Sequence, residues 1–217
     1  IAILPLLGIG GMQLFSAEAP GSGISGDKIH PRISATAKRL WYIYVGLTLV
    51  ETLALNFAGM SIFDAINHSM SNIATGGFST KNNSLAYWNS IPQIQYIIIF
   101  FMILAGTNYL LIYSAFIGKF KKLFNNTEFI WYLSFIAVFV LVTTLVLFFN
   151  VDLSNTEFDH PEIYGKFESS FRHAFFQIVA VITTTGFVTG NFAGWTPFLT
   201  MLFFGLMFIG ASSGSTS

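Results

Sequence analysis

The sequence has 217 residues, of which 53% are hydrophobic, 17% aromatic and only 9% charged. Soluble domains carry about a quarter charged residues and disordered chains are poor in aromatics, so both classes are excluded, while ten basic against ten acidic residues leave no net charge to draw a nucleic acid. The absence of Cys removes disulfide frameworks and thiolate metal sites, and the expected fold class is an all-α membrane protein embedded in a lipid bilayer.

Residues 1–15 read as the second half of a span that begins upstream, and no basic leader with a small-residue cleavage site is visible. Ile1 lies inside an apolar run and Ser217 inside a Gly/Ser-rich one, which suggests an internal fragment of a longer polytopic protein. A spanning helix needs about 20 mostly apolar residues. Residues 40–60 fit, interrupted by Glu51 and Asn56, whereas residues 61–73 are too short and too polar to cross. Residues 91–120 are long enough to span with tilt and carry a small, polar break at Ala105-Gly106-Thr107-Asn108. Residues 129–149 contain no charge and form the clearest span. Residues 167–182 are again of mixed character, and residues 197–209 open a further span. The two mixed stretches suit re-entrant helices that enter and leave on one side; surface amphipathic helices or extramembrane loops are the alternative. Lys28, Arg32, Lys38 and Arg39 before the first full span, and Lys119, Lys121 and Lys122 after the next, put that side in the cytoplasm. Asp152, Glu157, Asp159 and Glu162 occupy the opposite loop, so the re-entrant segments open to the exterior.

The order span, short helix, Thr/Gly/Phe cluster, span occurs twice. The first cluster holds Ala74, Thr75, Gly76, Gly77 and Phe78, and the second holds Thr183, Thr184, Thr185, Gly186 and Phe187. Placing Gly77 on Gly186 sets an offset of 109 residues and puts Thr75 on Thr184 and Phe78 on Phe187. The expected units are repeated helix–pore-loop–helix segments. Residues 1–37 would end one repeat and make a cytoplasmic connection, 38–127 would form the next, and 128–217 would run to a gate loop. Irregular backbone at membrane depth is tolerated only where it lines a polar cavity. Converging carbonyls there can replace the hydration shell of a monovalent cation. Gly permits positive φ, and the preceding helix turns its negative end to the ion. A monovalent cation is therefore expected on the carbonyls of Thr75, Gly76, Gly77, Thr184, Thr185 and Gly186.

Gly210, Ala211, Ser212, Ser213, Gly214, Ser215 and Thr216 follow an apolar stretch and fall mid-membrane. Small, helix-poor residues predict an unwound stretch that could gate the pore; a close helix-packing face is the alternative.

These residues carry a resemblance. Leu7-Gly8-Ile9-Gly10-Gly11-Met12-Gln13-Leu14-Phe15, Ala17-Glu18-Ala19-Pro20-Gly21, Pro31-Arg32-Ile33 with Thr36-Ala37-Lys38, the filter Ile73 to Thr80 and the stretch Gly210 to Ser217 together resemble the TrkH subfamily of the Trk/Ktr/HKT potassium transporters over essentially the whole chain. The resemblance implies four membrane–pore-loop–membrane repeats around one pore. This sequence would hold the end of repeat one, all of repeat two, and repeat three as far as its intramembrane gate loop. It implies potassium uptake across the bacterial inner membrane, homodimers, and regulation by a cytoplasmic ring of nucleotide-binding TrkA. The transported K⁺ is the only ligand it implies, with no cofactor in this chain and no nucleic acid. The sequence departs from the pattern in having Ala74 where repeat three has Thr183, and Gly210-Ala211 where many relatives have two glycines. Ser79 and Val188 stand where potassium channels place a second filter glycine, which predicts fewer well-formed ion sites than in such a channel.

Glu51 inside a span is costly unless paired or facing water: a partnered structural role, or a coupling site of a Na⁺- or H⁺-driven symporter, would account for it. Asn108 is either pore-lining or an interhelical hydrogen-bonding residue. His68 and His173 stand nine and thirteen residues before the filter glycines, which breaks the repeat and disfavours a shared metal or haem site. Asp64 and Glu168 suit the positive ends of the short helices, and Lys81 would oppose cation attraction at the mouth. An intramembrane serine protease is disfavoured because Gly210-Ala211-Ser212-Ser213 lacks the final Gly of its turn and neither His30 nor His160 lies in a span; Gly214-Ser215-Thr216 lacks the Lys of a phosphate loop. A non-conducting membrane scaffold or sensor is the alternative outside transport.

Overall fold

The computed structural model describes residues 33–151, 160–208, 210 and 215. The expected half-span at 1–15, the motifs before residue 33, the acidic loop residues Asp152, Glu157 and Asp159, and gate-loop residues Ala211 to Gly214 and Thr216 lie outside the described residues.

In chain order the helices are α1 (Ile33–Phe57), α2 (Ile62–Ile73), α3 (Pro92–Ala105), α4 (Tyr109–Phe116), α5 (Phe120–Phe124), α6 (Thr127–Asn150), α7 (Lys166–Ile182) and α8 (Pro197–Leu206), with 3₁₀ turns at Ser84–Trp88 and Phe192–Gly194. Among the described residues, two single helices are long and apolar enough to cross a membrane, the Lys38–Phe57 part of α1 and α6, and a bent pair could form a third span. Exposed Trp131, Val138 and Leu141 on α6 give it the lipid-ready face that its uncharged sequence requires. At 1.5 Å per residue, the 12 residues of α2 rise only about 18 Å, short of the ~30 Å hydrocarbon core. Both short helices lie against spans, α2 on α1 and α7 on α6 and α3, and not apart as surface helices.

The sequence placed the first full span at 40–60; α1 ends at Phe57, where a turn at Ala58 and Gly59 (φ +103°) releases the chain into α2. Residues 91–120 hold a bent pair of helices that together are long and apolar enough to span. α3 and α4 meet at the expected break with a bend of 106°. The break frees the Ile103 carbonyl, because the Thr107 N–H donates instead to Leu104. The Thr107 hydroxyl (2.7 Å) and the Tyr132 hydroxyl of α6 (3.3 Å) donate to Ile103 in its place. Such re-satisfaction by side chains is what makes broken helices tolerable in lipid. Asn108 caps α4, its side chain accepting from the Leu110 N–H at 2.9 Å.

One buried core runs between α3, α6, α7 and α8, with Ile98, Met102, Ile136, Leu147, Phe176 and Phe203 inside it. A second, around Ile43, Leu47, Ile73, Phe101 and Tyr109, joins α1 to the bent pair. The short helices are thereby held at their backs, leaving the turns at their C-terminal ends to be shaped.

Candidate functional site

The turns that follow α2 and α7 share an unusual backbone. Thr75 (φ +51°) and Gly77 (φ +65°) are left-handed, and so are Thr184 (φ +56°) and Gly186 (φ +78°), at the same 109-residue offset. A left-handed conformation costs a non-Gly residue roughly 1–2 kcal/mol, so its recurrence at two threonines marks an imposed geometry. The residues between them, Gly76 and Thr185, are not left-handed. Alternation of this kind turns successive carbonyls towards one side of an extended segment. Both turns begin from matched helix ends: Ala74 N–H donates to Met70 and Thr183 N–H to Val179, at 3.1 and 2.9 Å.

The two turns also touch. A Cβ on Gly77 would overlap the Thr185 carbonyl oxygen and stand 3.0 Å from the Gly186 carbonyl carbon. The second turn is clasped by the 3₁₀ segment after the first: Leu85 N–H donates to Val188 (3.1 Å), Val188 N–H to the Ser84 hydroxyl (3.3 Å), and the Asn89 amide to Thr189 (3.0 Å). Phe187 is fully buried and stacks on His68 of α2 with centroids 5.8 Å apart, whereas the matching Phe78 is 79% exposed.

His68 packs and braces, and its ring also lies edge-on to Trp88 at 5.0 Å. Its Nδ1 donates to the Asp64 carbonyl (2.7 Å), which leaves Nε2 to accept from the Ser79 hydroxyl (2.8 Å) just past the first turn. The histidine of the second repeat is not its counterpart. His173 stands 109 residues after Asp64, and Thr189 the same distance after Thr80. The two pairs do the same thing, since Thr80 donates to Asp64 at 2.5 Å and His173 Nδ1 bonds the Thr189 hydroxyl at 3.0 Å. Each repeat thus ties the exit of its turn back to its short helix, once through an acid and once through an imidazole. Pairing His68 with His173 by residue type hid this match.

Asp64 has further duties. It faces its own N-cap, with Ser61 accepting from the Asp64 N–H (3.1 Å) and donating to its carboxylate (2.8 Å), and Lys81 approaches to 3.5 Å. Lys81 is therefore engaged by Asp64, and lies over the Tyr87 ring at 5.1 Å, instead of standing free at the mouth. The Thr80 hydrogen bond holds the Asp64 carboxyl below the usual carboxylate range; burial opposes this, and Ser61 and Lys81 assist it. A carboxyl depressed in the folded state stabilises above its unfolded pKa of about 3.9 and loses that contribution as pH falls through its folded value. Thr80→Val should therefore lower thermal stability at neutral pH, with a deficit that shrinks below about pH 4, as unfolding scans in detergent across pH would show.

Glu51 is fully buried, and its Oε1 accepts from Asn72 of α2 at 2.6 Å; the same amide also donates to the Ile98 carbonyl of α3 at 3.2 Å. The pair locks α1, α2 and α3 together behind the first turn. Glu168 does not stand free at a helix start: its Oε1 accepts from Arg172 Nε (2.9 Å) and from the Tyr96 hydroxyl (2.9 Å). Arg172, unremarked in the sequence, is fully buried. Its i,i+4 spacing from Glu168 was the signal for the pair.

At the far end, α8 stops at Leu206, Met207 and Phe208 turn, and Gly210 is left-handed at φ +67°.

Spanning helices that alternate with short helices packed against them, each ending in a left-handed Thr/Gly turn, define a membrane protein of the pore-loop class. The TrkH family model, described as a cation transport protein, matches residues 1–217, and the chain belongs to that family. It is 44% identical over 217 residues to the Trk system potassium uptake protein TrkH of Salmonella typhimurium, covering all of this chain and 42% of that protein. The Trk system potassium uptake protein TrkG of Escherichia coli is 34% identical over 218 residues, with the same coverage of each chain. The crystal structure of the potassium transporter TrkH from Vibrio parahaemolyticus superposes with a TM-score of 0.75 at 36% identity, covering 100% of this chain and 41% of that one. The chain thus spans about two fifths of the length of these relatives.

Proposed function

We propose that this chain supplies two consecutive repeats, residues 38–127 and 128–217, of a potassium uptake protein of the bacterial inner membrane. Dehydrated K⁺ passes the carbonyls of Thr75 to Gly77 and Thr184 to Gly186. The observation that carries the proposal is the left-handed pair repeated at Thr75/Gly77 and Thr184/Gly186, in turns that face each other. The names of the relatives supply the ion. The seating of Phe187 on the short helix of the repeat before it supports successive repeats around one pore, and the exposed Phe78 suits a ring whose seat belongs to a preceding repeat. ⁸⁶Rb⁺ uptake into proteoliposomes bearing the full-length protein tests the reading. Saturable uptake that K⁺ displaces better than Na⁺ is expected, and no uptake above protein-free vesicles would leave the scaffold or sensor reading.

Ala211 to Gly214, with Gly210, Ser215 and Thr216, complete the proposal as a gate loop inside the membrane below the filter. The left-handed Gly210 just past the end of α8 supports a helix that unwinds there. Shortening this loop should raise ⁸⁶Rb⁺ flux in the absence of the regulator, and an unchanged rate would count against it. The relatives are named as parts of a Trk system, which fits a homodimer working with a TrkA-like nucleotide-binding regulator. Asn108, in the bend behind the filter, is proposed to line the pore. For Glu51, the hydrogen bond to Asn72 favours a structural role over ion coupling. Glu51→Gln keeps that acceptor, so its K⁺ flux and its indifference to imposed Na⁺ or H⁺ gradients should match wild type; a loss of gradient-driven uptake would favour the coupled symporter.

A further inference from the structure

Behind the exit of the second turn lies a line of buried polar side chains. Arg172 of α7 donates through Nη1 to Gln95 Oε1 at 2.5 Å. Gln95 donates through Nε2 to Asn89 Oδ1 at 2.6 Å, and Asn89 donates through Nδ2 to the Thr189 carbonyl at 3.0 Å. All four residues are 3% exposed or less.

The direction of this relay is dictated at its charged end. A guanidinium can only donate, so Gln95 must present its oxygen to Arg172 and its NH₂ to Asn89. Asn89 must then present its oxygen to Gln95 and its NH₂ to Thr189. Neither amide can flip without leaving a buried donor facing a donor, which costs more than the hydrogen bond itself contributes. The arginine is itself oriented by Glu168, at 2.9 Å from Nε. The end product is a donor aimed at the carbonyl three residues past Gly186, which holds that carbonyl on the buried side chains. The first turn lacks the charged end of this relay: the residue 109 positions before Arg172 is Phe63, which is 67% exposed.

We propose that Asn89, Gln95 and Arg172 are positioning residues for the second filter strand: beside the Leu85 N–H that holds the Val188 carbonyl, they anchor the exit of the strand at Thr189, and through that anchor they set its selectivity among monovalent cations. The proposal rests on the potassium-filter reading above. Two variants separate it from simple support of the fold. Asn89→Asp keeps size and the acceptor for Gln95 but loses the donor to Thr189. Gln95→Glu keeps and strengthens the contact with Arg172 but offers Asn89 only acceptors, so folding is supported while the relay is broken.

The experiment measures the K⁺/Na⁺ permeability ratio and the thermal midpoint of the full-length protein in liposomes, wild type beside both variants. Wild type should be K⁺-selective, and each variant's ratio should fall by about fivefold, the equivalent of one neutral hydrogen bond, with the midpoint of Gln95→Glu no lower than wild type. If Asn89→Asp fails to fold, Gln95→Glu alone decides. A wild-type ratio in a folded Gln95→Glu protein, or a loss of ratio only in step with a loss of midpoint, would overturn the positioning role. A wild type that does not discriminate K⁺ from Na⁺ would instead overturn the filter reading itself, and this inference with it.

Discussion

Gly77→Ser in the full-length transporter is expected to reduce K⁺ uptake about tenfold or more, or to erase K⁺/Na⁺ discrimination, because two costs of different size fall on one position. The left-handed φ of +65° alone would cost a non-Gly residue roughly 1–2 kcal/mol. That is tolerable, since Thr75 bears it two residues earlier at φ +51°, with its hydroxyl donating to the Ala74 carbonyl at 2.8 Å. The second cost decides the outcome: a Cβ at position 77 would collide with the Thr185 carbonyl oxygen of the facing turn. Backbone cannot swing aside as a side chain can, so one strand must shift its carbonyls. Gly76→Ala is the matched control. Its Cβ would meet only the exposed Phe78 ring at 3.1 Å, which can rotate away, and its φ is not left-handed. Uptake near wild type for Gly76→Ala beside a collapse for Gly77→Ser, measured by ⁸⁶Rb⁺ flux, checks the pair.

The second large effect is expected at the helix break. Gly106, at φ −76°, could accept any side chain as far as its backbone is concerned. Its surroundings could not: a Cβ would lie 2.6 Å from the Tyr132 hydroxyl and 2.8 Å from Cγ2 of Thr183, the first residue of the second turn. Overpacking of this kind costs about 1–3 kcal/mol, and here the strain is delivered to the base of the filter. Gly106→Val should lower the thermal midpoint and flux together. Tyr132→Phe removes the nearer of the two obstacles, so the double variant Gly106→Ala/Tyr132→Phe should be more stable than the two single losses predict. Residues in contact typically couple by about 0.5–3 kcal/mol, and thermal unfolding of the four proteins measures it.

These two glycines show what could be read from the chain and what could not. The break at residues 105–108 was legible because Gly, Thr and Asn interrupt an apolar run, a local signal. Its 106° angle was not, because it is held by Tyr132 from a helix in the next repeat. Both short helices and the 109-residue offset were legible from periodicity and from the twin clusters of Thr, Gly and Phe. The equivalence of Asp64 with His173 was not, since an acid and an imidazole share no sequence signature even though both brace a threonine at the same register. Glu51 raised the question of a partner, but Asn72 lies in another helix, and only packing brings them together. From sequence, Arg172 beside Glu168 resembles a solvated helix face, and only the packing of Gln95 over it reveals a buried charge. Non-local contacts decided each of these, and one sequence read by itself carries little trace of them.

In the proposed filter, backbone oxygens, and not a carboxylate, hold the transported cation. Anomalous scattering from Rb⁺ in crystals of the full-length protein tests this most directly. A peak is expected between the two turns, within coordination distance of carbonyls drawn from Thr75 to Gly77 and Thr184 to Gly186. A peak beside Glu51, with none between the turns, would contradict it.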